Sequence, residues 1–172
     1  MSRRLFAVFL ALGAAALTSC SDGGGTALAG AGKSSNLVGY EHTQAGKEYW
    51  VTMPQMENTS GKPVTVLSGK IVHVPAGLRI TAYRVVSDGT GPHPHGVIPV
   101  GVRDHNAPAH QGSSIRIPAH TLSDLYYEAR VKVTGTVHGD LTTCHYEYRQ
   151  GSSTYREDIG CDTRIRLGKP VS

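Results

Sequence analysis

The eighteen residues from Cys144 to Cys161, "CHYEYRQGSSTYREDIGC", decide how this chain reads. The cysteines stand symmetrically about Ser152 and Ser153, so a hairpin turning there sets Cys144 opposite Cys161 and Tyr146 opposite Ile159. Successive strand side chains point to opposite faces. Cys144, Tyr146, Tyr148, Ile159 and Cys161 therefore form an apolar face, and His145, Glu147, Arg149, Arg156 and Asp158 the other. In this register like charges oppose each other, Glu147 with Asp158 and Arg149 with Arg156, and only the diagonal pairs are attractive. A turn at Gly151-Ser152 suits a type II′ hairpin but moves Cys161 two residues out of register. The symmetric hairpin, closed by a Cys144–Cys161 disulfide, is the expectation. Such a loop closure is worth about 3 kcal/mol in the chain-entropy picture. With no C-x-x-C spacing to lower a thiol pKa, the bond reads as structural.

Outward from this hairpin the same period of two recurs. "KPVTVLSGKIVHVPAGLRITAYRVVS" is rich in Val, Ile, Thr and Tyr and is punctuated by Gly and Pro; Leu78, Ile80 and Ala82 alternate with Arg79, Thr81 and Tyr83. "ARVKVTGTVHG" alternates Val131, Val133 and Val137 with Lys132, Thr134, Thr136 and His138, and "DTRIRLG" does so with Ile165 and Leu167. One helical candidate, "PAHTLSDLYYEA", has Ser123 as a cap, but β-formers follow at once. Short strands at this spacing predict an all-β immunoglobulin-like or related Greek-key sandwich with one disulfide, a small β-barrel being the alternative. The cysteine, tryptophan, cysteine order of antibody domains is absent, because Trp50 precedes both Cys144 and Cys161.

At the other end of the chain, Arg3 and Arg4 precede thirteen residues, Leu5 to Leu17, without a polar side chain. At about 1.5 Å per residue this run spans roughly 20 Å, short of the roughly 30 Å hydrocarbon core, which favours a secretory signal over a permanent span. Leu17-Thr18-Ser19-Cys20 resembles the lipobox of bacterial lipoproteins. The resemblance implies cleavage before Cys20 and acylation of its thiol, and two acyl chains suffice for stable anchoring. It divides the chain into a signal peptide (1–19), a lipidated Cys20 with a flexible Gly/Ala/Ser tether (20–39) and one β-rich domain (40–172). The expected location is lipid-anchored to the outside of the cytoplasmic membrane, or to an outer membrane where the cell has one. Losing Arg3 and Arg4 lowers Lys+Arg from 17 to 15 against 13 Asp+Glu, so the charge falls from +4 to +2. That is too little for nucleic acid to be a partner.

Sequence signatures of nucleophilic, metalloprotease and nucleotide chemistry are missing: there is no G-x-S-x-G, H-E-x-x-H, G-x-x-x-x-G-K-[ST] or G-x-G-x-x-G. A blue-copper site is disfavoured, since Met53 and Met56 both lie upstream of Cys144. Histidine is the unusual feature. "GPHPHGVIPVGVRDHNAPAHQG" carries His93, His95, Asp104, His105 and His110 in a Pro-rich stretch, and His-rich loops can bind metal. Two expectations follow. The first is a non-enzymatic, lipid-anchored β domain that binds a protein or a cell-wall component. The second is a surface metal-binding lipoprotein that uses this loop for Zn or Cu.

Overall fold

The computed structural model describes residues 26–30, 38–87, 96–101 and 114–169. These form thirteen strands: β1 (Leu28–Gly30), β2 (Val38–Thr43), β3 (Glu48–Thr52), β4 (Met56–Asn58), β5 (Val64–His73), β6 (Leu78–Ser87), β7 (Val97–Pro99), β8 (Ile115–Ile117), β9 (Thr121–Leu122), β10 (Leu125–Val133), β11 (Thr142–Gln150), β12 (Ser153–Ile159) and β13 (Thr163–Leu167). Among the described residues there is no helix, and none long and apolar enough to cross a membrane. The helical candidate around Ser123 is instead a kink between strands, where the Ser123 hydroxyl accepts from the Leu125 amide at 3.0 Å and donates to its carbonyl at 2.7 Å.

Two four-stranded sheets, β6-β10-β3-β7 and β12-β11-β5-β8, make up the body, flanked by a three-stranded sheet β1-β4-β9 and a parallel pair β13-β2. The fold is all-β and is not a closed barrel. Val51, Tyr127, Ala129 and Val131 from one large sheet share a core with Val64, Val66, Ile115, Ile117, Tyr146 and Tyr148 from the other. Tyr127 and Tyr146 meet across the layers with ring centroids 6.1 Å apart. Gly69 on β5 makes room for them, because a Cβ there would sit 2.9 Å from a ring carbon of each. Burial pushes the Tyr127 hydroxyl up to about 12, and the buried Tyr146 hydroxyl is also raised while it donates to the Pro54 carbonyl at 3.1 Å.

The hairpin that organises the sequence is present, with a corrected register. Gln150 pairs with Ser153, Tyr148 with Tyr155, Tyr146 with Glu157 and Cys144 with Ile159. The turn is therefore Gly151-Ser152, with Gly151 at φ 62° and Ser152 outside the left-handed region, as a type II′ turn requires. The expected opposition of like charges disappears. His145 faces Asp158 with Nδ1 and Oδ1 2.6 Å apart, and Glu147 faces Arg156 at 3.8 Å. A shift of two residues preserves which side chains face inward, so Cys144, Tyr146, Tyr148, Ile159 and Cys161 are all buried as expected. Cys161 lies beyond the end of β12 and bends back to Cys144, with their Cα atoms 5.7 Å apart, completing the disulfide.

Irregular pairing changes two further expectations. A bulge between Arg130 and Val131 leaves Thr81 unpaired on β6, which turns Ala82 outward to face Arg130 and Tyr83 inward against the core. The Tyr83 hydroxyl there accepts from the Ile71 amide at 3.0 Å. A similar irregularity between Ile165 and Leu167 leaves Ile165 buried and Leu167 exposed.

The boundary of the domain also moves. Leu28–Gly30 and the start of β2 fall inside the stretch assigned from sequence to a flexible tether, yet β1 pairs with β4 from Leu28↔Asn58 to Gly30↔Met56. Ala27 and Leu28 are buried. The Ala27 amide donates to the Tyr148 hydroxyl at 3.2 Å and the Leu28 amide to the Glu157 carboxylate at 3.1 Å. Burial holds the Glu157 carboxyl above its ordinary pKa, against the lowering effect of these hydrogen bonds. Backbone pairing with β4, two side-chain acceptors and the buried Leu28 side chain fix the segment together.

Replacing both Cys144 and Cys161 with Ala is expected to lower the unfolding free energy by about 3 kcal/mol in urea titration, with the strand content of the folded protein unchanged. A loss below about 0.5 kcal/mol would show that the hairpin and its exit hold without the bond.

Candidate functional site: the outer face around Trp50

Strand alternation sends Tyr49 and Val51 into the core and leaves Glu48, Trp50 and Thr52 on the outer face of β3. Register then assembles their neighbours. Arg130 on β10 lies opposite Trp50, Glu128 opposite Thr52, and Arg84 on β6 opposite Glu128; on the other flank Ile98 of β7 faces Trp50. The outward turn of Ala82 matters here, since a methyl group beside Arg130 leaves space over the sheet for longer side chains.

The result is a ladder of alternating character. The Arg84 guanidinium stands 4.0 Å from the centroid of the Trp50 ring, and that of Arg130 stands 6.0 Å from it. Arg84 Nε donates to the Glu128 carboxylate at 2.7 Å, and Arg130 is paired with Glu48. Glu128 is only 2% exposed, and Arg84 is its ion-pair partner. Val86 and Tyr126, which face each other, and Ile98 are buried on this same side although they lie outside the main core cluster. Trp50 itself remains partly exposed, and one polar atom of its neighbour, Arg130 Nε, is buried without a hydrogen-bond partner. A ring with two guanidiniums against it is an ordered, amphipathic platform that retains few rotamers to lose on contact with a partner. Its acids are committed to ion pairs, which suits recognition better than proton transfer.

Of the residues singled out from sequence, Cys144 and Cys161 are joined as expected. Cys20 and the histidine-loop set His93, His95, Asp104, His105 and His110 lie outside the described residues. Among the described residues no group of three or more His, Cys, Asp or Glu side chains is placed to hold a metal ion. The sequence reading missed the Trp50 ladder. Alternation within "EYWVT" would have put Glu48 and Trp50 on one face, but Arg84, Glu128 and Arg130 join them only through strand pairing over long sequence separations. No protein-family model matches this chain, and no curated protein matches it.

Arg84→Met is expected to destabilise the fold by roughly 3 kcal/mol, because it strands the buried Glu128 carboxylate. The double variant Arg84→Met, Glu128→Met should recover most of that loss. With Glu128→Met measured as well, a double-variant loss equal to the sum of the two single losses in chemical denaturation would mean that the ion pair carries no coupling.

Proposed function

We propose that this protein is a lipid-anchored extracytoplasmic β domain with a non-enzymatic binding role, held outside the cytoplasmic membrane, or on the outer membrane in a cell that has one. The observation that carries the binding role is Trp50, the only tryptophan in the chain, partly exposed and in contact with the guanidiniums of Arg84 and Arg130 on a sheet face outside the core. Tryptophan and arginine are the residues that most often dominate the energetics of a binding surface. The partner expected is a protein or a cell-wall component.

Two features support the location. Leu17-Thr18-Ser19-Cys20 has the order of a lipobox behind a charged start and an apolar run. The Cys144–Cys161 bond supports an oxidising compartment, since cytosolic thiols are kept reduced.

Cys20→Ser should move the protein from the membrane fraction to the soluble extracytoplasmic fraction of the cell that makes it; a variant that stays with the membrane removes the lipid-anchor reading. The binding role is read separately, by sedimentation of purified protein with isolated envelope material. Trp50→Ala should weaken that association by about tenfold or more, the scale of a hot-spot truncation. Undiminished association of the variant would move the binding surface elsewhere.

A further inference from the structure

The integration of β1 into the fold has a geometric consequence for an anchored domain. Thr26 is six residues after Cys20, and a chain of six residues spans at most about 22 Å even when fully extended. The longest strands, β5 and β6, have ten residues, which is roughly 33 Å of strand. An acylated Cys20 therefore cannot let the domain stand off at an arbitrary orientation. The end of the sandwich that carries Thr26 is held near the bilayer, and the far end reaches the surface only when the domain lies flat on it.

The end in question is well defined. The Thr59 amide donates to the Ala27 carbonyl at 2.8 Å, which puts Thr26 beside loop 59–62. The buried Asn58 organises that loop: its amide nitrogen donates to the carbonyls of Lys62 and Pro118, both at 2.8 Å, and its oxygen accepts from the Ser60 hydroxyl at 2.7 Å. Gln150, at the β11–β12 turn, donates to the Ser60 hydroxyl at 2.7 Å. The His120 amide donates to the Ser60 carbonyl at 3.2 Å.

Three cations are displayed by this frame. Arg116 and Arg149 both pair with Thr65, from β8 and β11, so they flank it on the outer face one row from the turn; Lys62 lies in the loop. All three are exposed, and among the described residues none is in an ion pair, whereas Arg84, Arg130, Arg156, Arg164 and Arg166 all are. Glu57, exposed on β4, is the acid carried by the small β1-β4-β9 sheet. Cations also occur at the far end, where Arg79 faces Lys132, but the linker holds the Thr26 end, not that one, next to the surface.

We propose that this end of the sandwich rests on anionic lipid headgroups of the membrane that holds Cys20, with Lys62, Arg116 and Arg149 as the contacts. The proposal rests on the lipid-anchor reading and adds an orientation to it. Each cation near an anionic surface favours the oriented state by about fivefold, and the attraction decays within a Debye length of about 8 Å at physiological salt.

The test uses acylated full-length protein extracted from membranes and reconstituted into vesicles of phosphatidylcholine containing phosphatidylglycerol. With Cys20 acylated and Cys144 bonded to Cys161, a cysteine introduced by Ser152→Cys at the hairpin turn is the only reactive thiol, and Ala76→Cys gives the matching label at the far end. Flotation of the protein with the vesicles reads the anchor, and quenching of a thiol-attached fluorophore by headgroup-labelled lipid reads the orientation. The label at 152 should be quenched several-fold more than the label at 76. That contrast should shrink in pure phosphatidylcholine, at about 1 M salt, where the Debye length is near 3 Å, and in the Lys62→Gln, Arg116→Gln, Arg149→Gln variant, with flotation unchanged. Equal quenching of both labels on floating protein, or a contrast indifferent to charge and salt, overturns the proposal and leaves the anchor standing. Protein that does not float overturns the anchor reading, and this orientation falls with it.

Discussion

The constraint on which the rest of the structure depends is the pairing of β11 with β12 through the Gly151-Ser152 turn. β11 is central in its sheet, between β12 and β5, and its inward side chains Cys144, Tyr146 and Tyr148 are fully buried. Slipping this hairpin by one residue would send all three to solvent, at about 1.5–3 kcal/mol for each large side chain. Slipping it by two costs no burial. The choice between the two registers of equal parity therefore falls to small terms: the twist preference of a type II′ turn and cross-strand charge pairs worth roughly 0.2–1 kcal/mol each. Both favour the observed register, which brings His145 to Asp158 and Glu147 to Arg156. The disulfide does not oppose it, because Cys161 lies past the last paired residue and is free to bend back.

That register also positions Glu157. Opposite Tyr146, it faces inward, and its carboxylate becomes the acceptor for the Leu28 amide. The neighbouring Tyr148 hydroxyl takes the Ala27 amide in the same way. A weakly apolar Gly/Ala/Ser segment is thereby held in the fold by acceptors that the hairpin supplies together with burial of Leu28. For an acylated chain this exchanges a loose leash for a short strap, and the strap gives the domain a near end and a far end.

The two large sheets use their outer faces differently. On β12-β11-β5-β8 the ion pairs are exposed cross-strand ones, with Asp158 61% exposed, and each contributes little to stability, while Arg116 and Arg149 stand outside them. On β6-β10-β3-β7 the polar groups are drawn together around an indole ring, and one of them, Glu128, is nearly inaccessible. A buried carboxylate costs desolvation free energy that an apolar residue would not, so its persistence beside Trp50 and Arg84 fits a face shaped for recognition more than for stability.

What the sequence by itself determined was the period of two, and with it the all-β class, the inward and outward sets of the Cys144–Cys161 hairpin and the disulfide that joins its ends. Those properties follow from alternation, which is local to the chain and worth several kcal/mol through burial. The exact register escaped it because registers of equal parity bury the same side chains. Ala82 and Tyr83 escaped it because one bulged residue, Thr81, inverts the alternation beyond it. Only the tertiary structure decided that Trp50 meets Arg84 and Arg130, and that Leu28–Gly30 is a strand. The partners in both cases lie far away along the chain, and hydrogen bonds and cation–π contacts between strands leave no periodic trace in the sequence that forms them.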